Sequence, residues 1–421
     1  MKARAKIWLF GVLAALIWYF MVWLVIHFLG ISGRELQYVA ITLITLGTGA
    51  ICWLVWYFLK ELSAKEGPKD APVDEIDRDI TAARARLAAA KLSDKTRLSQ
   101  LPLILCLGPA DSAKTSILVR SGLDPDLLTG EVQRGDAVVA TRGVNLWYSN
   151  KTILLEAGGR LVADAGRFSR LIRYIQPSRT SAVLTSGRQA PRVAIVTLSV
   201  EDLVRPGGGE TVAAHARELR ARLLETSKKL GIRLPVYVIF TKADKLPYFA
   251  DFVRNFSSDE AREVLGATLP WDSGPAGTYA DRTASRIGSA MQRLAGSLSG
   301  HRLQFLPREN QPAIGYNAYE FAREFRKVVP QATQFLVDLC KPSQLEVSPV
   351  LRGFYFTGVR AVVVEEAGLM QQQAQQRQAP GIMDATQAFV PAAFGVPQAP
   401  AAPVGPVSRK VPQWMFLGRL F

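Results

Sequence analysis

Two long apolar runs near the N-terminus constrain the fold of this chain more than any other feature. Residues 7–29 contain no Asp, Glu, Lys or Arg. As a helix they would extend about 34 Å, which is enough to cross the hydrocarbon layer of a membrane. A second run without charged residues covers residues 38–59, and only a short turn separates the two. The sequence therefore predicts a two-helix transmembrane hairpin over residues 1–60.

The charges around the hairpin predict its orientation. Lys2, Arg4 and Lys6 precede the first run, whereas Lys60 and Lys65 follow the second. Because basic residues are enriched on the cytoplasmic side of membrane helices, both ends of the hairpin are predicted to lie in the cytoplasm. A cleaved signal peptide would have a shorter apolar core and no second span, so we favour a multi-pass protein whose soluble part is cytoplasmic.

Composition argues against several functional classes. The chain has 421 residues, with 51 Lys and Arg against 36 Asp and Glu, and a formal charge of +15. Its three cysteines and three histidines favour neither a disulfide framework nor zinc or proteolytic chemistry. The basic residues are dispersed, and their excess suits a domain held against anionic lipids. We therefore predict contact with membrane lipids and no binding of nucleic acid.

The region after the hairpin is predicted to be an α/β domain with a helical extension. Residues 61–100 are charged and rich in Ala, and they predict a connecting helix. Residues 101–255 alternate short apolar runs with helical patterns, which is typical of a mostly parallel sheet. Residues 256–365 predict further helices, the last broken or kinked at Pro330. The predicted strands are residues 101–107, 152–155, 193–198 and 234–240, and the main predicted helices of the domain are residues 114–121 and 211–230.

The C-terminal part changes composition sharply. Residues 366–413 are rich in Gln, Ala and Pro, and such a segment buries too little apolar surface to fold by itself. We interpret it as a linker. Residues 414–421 form an apolar patch that is too short to cross a bilayer, and we interpret them as the start of a further membrane segment.

The first strand of the α/β region leads into a candidate phosphate-binding loop. The loop begins at Gly108 and ends with Ala113, Lys114, Thr115 and Ser116, after which a helical pattern starts. In such a loop backbone N–H groups surround a phosphate, the lysine reaches the terminal phosphates, and the threonine contacts Mg²⁺. Ala113 stands where the motif has glycine. Because the backbone there takes an unusual conformation, a Cβ is expected to weaken binding.

Two further residues, Thr141 and Glu156, complete a predicted Mg²⁺ site that begins with Thr115. Glu156 and Gly159 follow the second predicted strand, where GTPases carry an Asp-x-x-Gly element. The glutamate is one methylene longer than aspartate, which crowds an octahedral site. Thr141 is placed like the switch threonine that closes over the ion. The predicted metal ligands are therefore Thr115, Thr141 and Glu156.

A third element follows the last predicted strand. Thr241, Lys242 and Asp244 form a Thr-Lys-x-Asp version of the guanine-recognition element. An aspartate there accepts two N–H donors from the guanine edge, and the lysine stem covers the base. Together with the phosphate loop, in the same order as in GTPases, this element predicts a P-loop NTPase-like, GTPase-like fold. The ligand stays open between GTP or ATP with Mg²⁺ and no nucleotide at all, and hydrolysis is disfavoured by Ala113 and Glu156.

Several segments resemble the TssM family, also called IcmF-like, of bacterial type VI secretion systems. They are the hairpin itself and the stretches GPADSAKTS, ATRGVNLWYSNKTILLEAGGR, IVTLSVEDL, LPVYVIFTKADKL and LRGFYFTG. The resemblance implies a scaffold subunit in the bacterial inner membrane that links the envelope complex to the cytoplasmic baseplate. Its implied partners are a TssL-like inner-membrane protein, baseplate components and further copies of the chain.

Three functional hypotheses remain open at this point. The first is a structural scaffold whose nucleotide-binding fold is degenerate, and the second is a membrane-tethered GTPase or ATPase switch that energises or gates secretion. The third is a membrane-surface or nucleic-acid binder driven by the positive charge. The scaffold hypothesis agrees best with the family resemblance and with Ala113 and Glu156, which replace the Gly and Asp of the GTPase motifs. The charge-driven binder ranks last because the basic residues are dispersed.

Overall fold

The structure is a computed structural model in which the chain forms two compact units, Met1–Asp74 and Glu75–Phe421. The residues that the structure describes are 2–29, 34–65, 75–90, 98–130, 133–134, 137–138, 141, 143–176, 189–271, 279–343, 347–365 and 408–420.

The first unit consists of two helices, α1 (Lys2–Leu29) and α2 (Arg34–Lys65). The indole of Trp18 donates a hydrogen bond of 3.2 Å to the carbonyl of Leu43. Gly47 makes room for this indole, since a Cβ there would overlap the Trp18 ring. Many large apolar side chains of both helices are exposed, among them Phe10 at 68 % and Trp53 at 61 %.

Of the helices in the described part of the chain, none has an apolar stretch long enough to cross a bilayer. The spanning hairpin predicted for residues 1–60 therefore stays a prediction.

The second unit is built on an eight-stranded sheet in the order β2-β5-β6-β1-β7-β8-β10-β9. The five central strands of this order, β6, β1, β7, β8 and β10, run parallel to one another. The parallel α/β sheet predicted from the sequence is thus confirmed. The strands are β1 (Leu103–Leu107), β2 (Asp126–Thr129), β3 (Gln133–Arg134), β4 (Ala137–Val138), β5 (Val144–Ser149), β6 (Thr152–Ala157), β7 (Arg192–Ser199), β8 (Pro235–Thr241), β9 (Leu265–Thr268), β10 (Val350–Phe356), β11 (Gly358–Glu365) and β12 (Ser408–Met415).

Helices cover the two faces of this sheet to different extents. Most of the helices pack their apolar sides into one large core, because apolar side chains recur on one side of each helix. In α6, for example, Phe168, Leu171, Ile172 and Ile175 are all buried. A smaller core on the other face packs α4 against the sheet. The helices are α3 (Glu75–Ala89), α4 (Lys114–Arg120), α5 (Gly159–Ala163), α6 (Ala165–Ile175), α7 (Val200–Val204), α8 (Gly208–Leu230), α9 (Phe249–Phe252), α10 (Ser258–Arg262), α11 (Tyr279–Phe305) and α12 (Pro312–Leu339).

The segment predicted as a connecting helix differs from its prediction. Its helix is α3, but Ile76, Ile80, Ala83 and Leu87 are buried in the main core. The tyrosine hydroxyl of Tyr174 donates a 2.6 Å hydrogen bond to an Asp77 carboxylate oxygen and adds a polar contact. Apolar residues at helical spacing identify the helix. They do not show whether its apolar face packs into the core of the α/β domain or belongs to a connecting segment outside it.

The predicted helical extension, residues 256–365, also contains strands. β10 lies between β8 and β9 in the main sheet, and Phe240 of β8 stacks on Phe356 of β10 with ring centroids 4.8 Å apart. Phe335 of α12 contacts Phe240 from the helix side. The helix α12 continues through Pro330, which lies on its exposed side. The apolar run of β10 forms a strand because it pairs with β8. Since β8 is distant in sequence, local sequence patterns could not indicate this pairing.

The C-terminal residues take part in the same domain. Residues 366–407 of the predicted linker lie outside the described residues. Its last residues belong to β12, which pairs antiparallel with β11. Met415, Phe416 and Leu417, which the sequence assigned to the start of a membrane segment, are buried in the domain cores. Their apolar side chains are therefore explained by packing within the domain.

Candidate phosphate-binding site

The carboxyl ends of the parallel strands meet at one edge of the sheet. β1 ends at the loop 108–113, and its neighbours β6 and β7 end beside it. β8 and β10 follow in the sheet order and end at the same edge. In open α/β sheets this edge is where ligands bind. The topology therefore brings the three predicted elements, which are far apart in sequence, to a common edge.

The loop 108–113 has the backbone conformation that its motif demands. Ala113 is in the left-handed region, with φ 57° and ψ 26°, immediately before α4. A residue with a Cβ costs on the order of 1 kcal/mol there. The sequence-based expectation of backbone strain at Ala113 is thus matched by its geometry. Ser116 lies half-buried one turn into α4.

Lys114 lies under this loop and is 6 % exposed. Its ammonium group donates hydrogen bonds to the carbonyls of Gly108 at 3.0 Å and Pro109 at 2.6 Å, and to the hydroxyl of Ser112 at 3.3 Å. Burial lowers the pKa of Lys114, because the protonated form loses its hydration. All three of these acceptors are uncharged oxygens, so an anion at the loop would add a favourable charge interaction.

Glu156 lies at the end of β6 and is fully buried. The hydroxyl of Thr115 donates to its Oε1 at 2.5 Å, and the hydroxyl of Thr141 donates to the same oxygen at 2.8 Å. The two hydroxyl oxygens are 3.2 Å apart. The structure thus brings together the three predicted metal ligands, which come from a helix, a connecting segment and a strand.

These three oxygen atoms fit the needs of Mg²⁺. An ion with six oxygens at about 2.1 Å places neighbouring oxygens about 3 Å apart, close to the spacings of 2.5, 2.8 and 3.2 Å found here. Magnesium sites commonly combine one or two carboxylates with substrate phosphates. Among the described residues no group of three or more His, Cys, Asp or Glu could hold a metal ion. Thr115, Thr141 and Glu156 stay the predicted ligands of Mg²⁺, and in this structure they form hydrogen bonds with one another.

Sequence reasoning missed Asn145, a buried member of the same cluster. Its amide donates to Glu156 Oε2 at 3.1 Å and to the hydroxyl of Thr141 at 2.9 Å. A signal was present, because β5 and β6 form a tight hairpin around Asn150 and Lys151, which both have positive φ. Counting back from this two-residue turn places Asn145 opposite Glu156.

Gly159 permits the close approach of the phosphate loop. A Cβ at this position would lie 2.5 Å from the backbone nitrogen of Ala110. Gly108 is equally confined, since its Cβ would lie 2.6 Å from the carbonyl oxygen of Thr197. Both glycines are therefore required where the loop contacts neighbouring strand ends.

The Thr-Lys-x-Asp element follows β8, two strands away from β1 in the sheet. Thr241 is buried, and the ammonium of Lys242 lies 3.7 Å from a Glu201 carboxylate oxygen. The Asp244 Oδ1 atom accepts a 3.2 Å hydrogen bond from the backbone N–H of Val359. Glu201 was not predicted as a site residue, although it belongs to the stretch IVTLSVEDL on which the family resemblance rests.

Two comparisons with known proteins, one with family models and one with curated relatives, point to the same family. Residues 188–421 match the IcmF-related N-terminal domain. The type VI secretion system component TssM1 of Pseudomonas aeruginosa is 30% identical over 309 residues, which are 71% of this chain and 27% of that protein. A solved structure, the signal recognition particle receptor SRb-GTP/SRX complex from Chaetomium thermophilum, is similar at 16% identity with a TM-score of 0.23, covering 34% of this chain and 70% of that one.

Proposed function

The chain belongs to the IcmF-related family, and from this membership we propose that it is a scaffold subunit of a bacterial type VI secretion membrane complex. The observation that carries the proposal is the family match over residues 188–421, together with the 30% identity to TssM1. The matched part covers about a quarter of that relative, 27% of its length. The scaffold would link the envelope complex to the cytoplasmic baseplate, with a TssL-like inner-membrane protein as its nearest partner.

The first unit supports a membrane anchor. Its helices expose large apolar side chains such as Phe10 and Trp53, which is unfavourable in water and favourable in lipid. The runs of residues 7–29 and 38–59, which these helices contain, have no Asp, Glu, Lys or Arg. We propose that they form a hairpin in the inner membrane, that the second unit is cytoplasmic, and that several copies assemble.

Two departures from the nucleotide-binding motif favour the scaffold over a switch. Ala113 keeps a Cβ in the left-handed region of the loop. Glu156, in place of the shorter aspartate, reaches far enough to accept hydrogen bonds directly from the hydroxyls of Thr115 and Thr141. Both features lower the expected affinity for nucleotide, so the fold is retained for assembly in this proposal.

The variant Lys114→Ala tests the scaffold. If the domain serves assembly, the full-length variant should co-purify with the TssL-like protein from cells at wild-type yield, because Lys114 contacts only its own loop in the interactions described above. Lys229→Ala is the control, since Lys229 is a half-buried lysine whose ammonium donates hydrogen bonds to Glu225 and Ser169 outside the loop. Loss of the partner from Lys114→Ala alone, at normal abundance, would contradict the scaffold and favour the switch.

A second candidate, a membrane-tethered GTPase or ATPase switch, is favoured by one observation. Lys114 and the oxygens of Thr115, Thr141 and Glu156 lie at the strand end where phosphate and Mg²⁺ would bind. When bound, Mg²⁺ neutralises phosphate charge. The chain's own part would be to hold the phosphates through the loop N–H groups and Lys114.

Calorimetric titration with Mg·GTP and Mg·ATP tests the switch. We expect weak or no heat from the wild-type chain. The double variant Ala113→Gly, Glu156→Asp should bind at least about tenfold more tightly, since glycine removes the Cβ from the loop that surrounds the phosphate and the shorter aspartate widens the ion site. Tight binding by the wild type, unchanged in the double variant, would contradict a degenerate site.

A further inference from the structure

Asn145 makes two hydrogen bonds to atoms that belong to different predicted metal ligands. It is 2 % exposed and lies on β5, directly opposite Glu156 of β6. One amide nitrogen donates both to the outer carboxylate oxygen, Glu156 Oε2, and to the hydroxyl of Thr141. Nothing in the nucleotide-binding motifs assigns a role to this position.

This geometry fixes the direction of the carboxylate. Because Asn145 holds Oε2, the other oxygen, Oε1, is left for the hydroxyls of Thr115 and Thr141. The tight turn between β5 and β6 fixes the register of the pair, so the amide cannot shift along the strand. Outer-sphere hydrogen bonds of this kind orient metal ligands in proteins.

We propose that Asn145 is a positioning residue for a divalent cation of the Mg²⁺ class, and that it aligns Glu156 and Thr141 as ligands. The proposal rests on the cation site of the second candidate function, the membrane-tethered nucleotide switch, and is independent of the scaffold role. Asn145 acts through its two acceptors and has no contact with the cation itself.

Manganese binding to the full-length chain, purified in detergent, tests this role. Mn²⁺ takes oxygen ligands like Mg²⁺, and its free form gives a six-line electron paramagnetic resonance signal that falls on binding. The titration uses MnCl₂ alone and MnCl₂ with GTP. We expect Asn145→Ala to raise the Mn²⁺ dissociation constant by about 10- to 100-fold.

Ser149→Ala is the matched control, since Ser149 is a buried polar residue on the same strand, bonded to the carbonyl of Leu123 and remote from the ligands. It should leave Mn²⁺ affinity within about twofold. If Asn145→Ala does not fold, as judged by circular dichroism, Asn145→Ser is titrated instead, and the same direction of change is expected.

Two results would overturn the inference. The first is an Mn²⁺ affinity of the Asn145 variants equal to that of the wild type, because a residue that serves only stability lowers the thermal midpoint and leaves the affinity unchanged. The second is a wild-type chain that binds no Mn²⁺ under either condition. Neither result bears on the scaffold proposal, which is judged by co-purification with the TssL-like protein.

Discussion

Replacing Glu156 by alanine is expected to lower the free energy of unfolding of the second unit by about 3 kcal/mol. The fully buried carboxylate accepts hydrogen bonds from Thr115, Thr141 and Asn145. Hydrogen bonds to a charged group contribute about 1.5 to 3 kcal/mol each, and buried donors without acceptors cost about 1 to 3 kcal/mol. The three donors can partly re-pair with one another, which keeps the expected loss below the sum.

The measurement is thermal unfolding of the full-length chain, followed by circular dichroism. Glu201→Ala is the matched control, because the Glu201 side chain is 42% exposed and pairs with Arg205 at 3.4 Å and Lys242 at 3.7 Å. Exposed pairs contribute at most about 1 kcal/mol, so this variant should unfold near the wild-type midpoint. Equal midpoints for the two alanine variants would show that the buried network does not stabilise the domain.

Gly159→Ala is expected to destabilise the same unit by about 1 to 3 kcal/mol, the usual range for added groups in a closely packed site. The new Cβ would lie 2.5 Å from the Ala110 nitrogen and 2.9 Å from its Cα. Both atoms are backbone, so the phosphate loop itself must move. We therefore expect the nucleotide-binding geometry to be lost along with stability.

Gly209→Ala provides the control for this substitution. Gly209 lies at the start of α8, as Gly159 lies at the start of α5, but a Cβ there meets nothing within 4 Å. Alanine is the better helix former, so Gly209→Ala should leave stability unchanged or raise it by up to about 1 kcal/mol. The measurement is the thermal unfolding midpoint of both variants. A midpoint of Gly159→Ala equal to that of the wild type would contradict the expected clash with the loop backbone.

Much of the sheet could be predicted from the sequence because its signals are local. The apolar runs that became β1, β6, β7 and β8 are short, bounded by polar residues and separated by helical patterns. The phosphate loop could be recognised for the same reason, since its strand, loop and helix are contiguous. Even the left-handed backbone at Ala113 could be expected from one missing glycine.

The parts that could not be predicted depend on partners distant in sequence. β10 becomes a sheet strand by pairing with β8, more than 100 residues earlier, and β12 pairs with β11 across residues that lie outside the described part of the chain. Periodicity alone identified α3 as a helix, but it did not show that Ile76 and Leu87 belong to the main core. Tertiary packing determines which residues are buried, because an apolar helix face is buried only where another element of the fold covers it.

The sequence by itself determined that the chain has an apolar N-terminal pair of helices and an α/β domain built on a mostly parallel sheet. Each of these follows from the spacing of apolar residues or from a contiguous motif, and both are local properties. Only the tertiary structure decided that Asn145 joins the predicted residues Thr115, Thr141 and Glu156, and that the four form one hydrogen-bonded cluster. The physical reason is that a buried carboxylate must be surrounded by donors, and the sheet order determines which donors reach it.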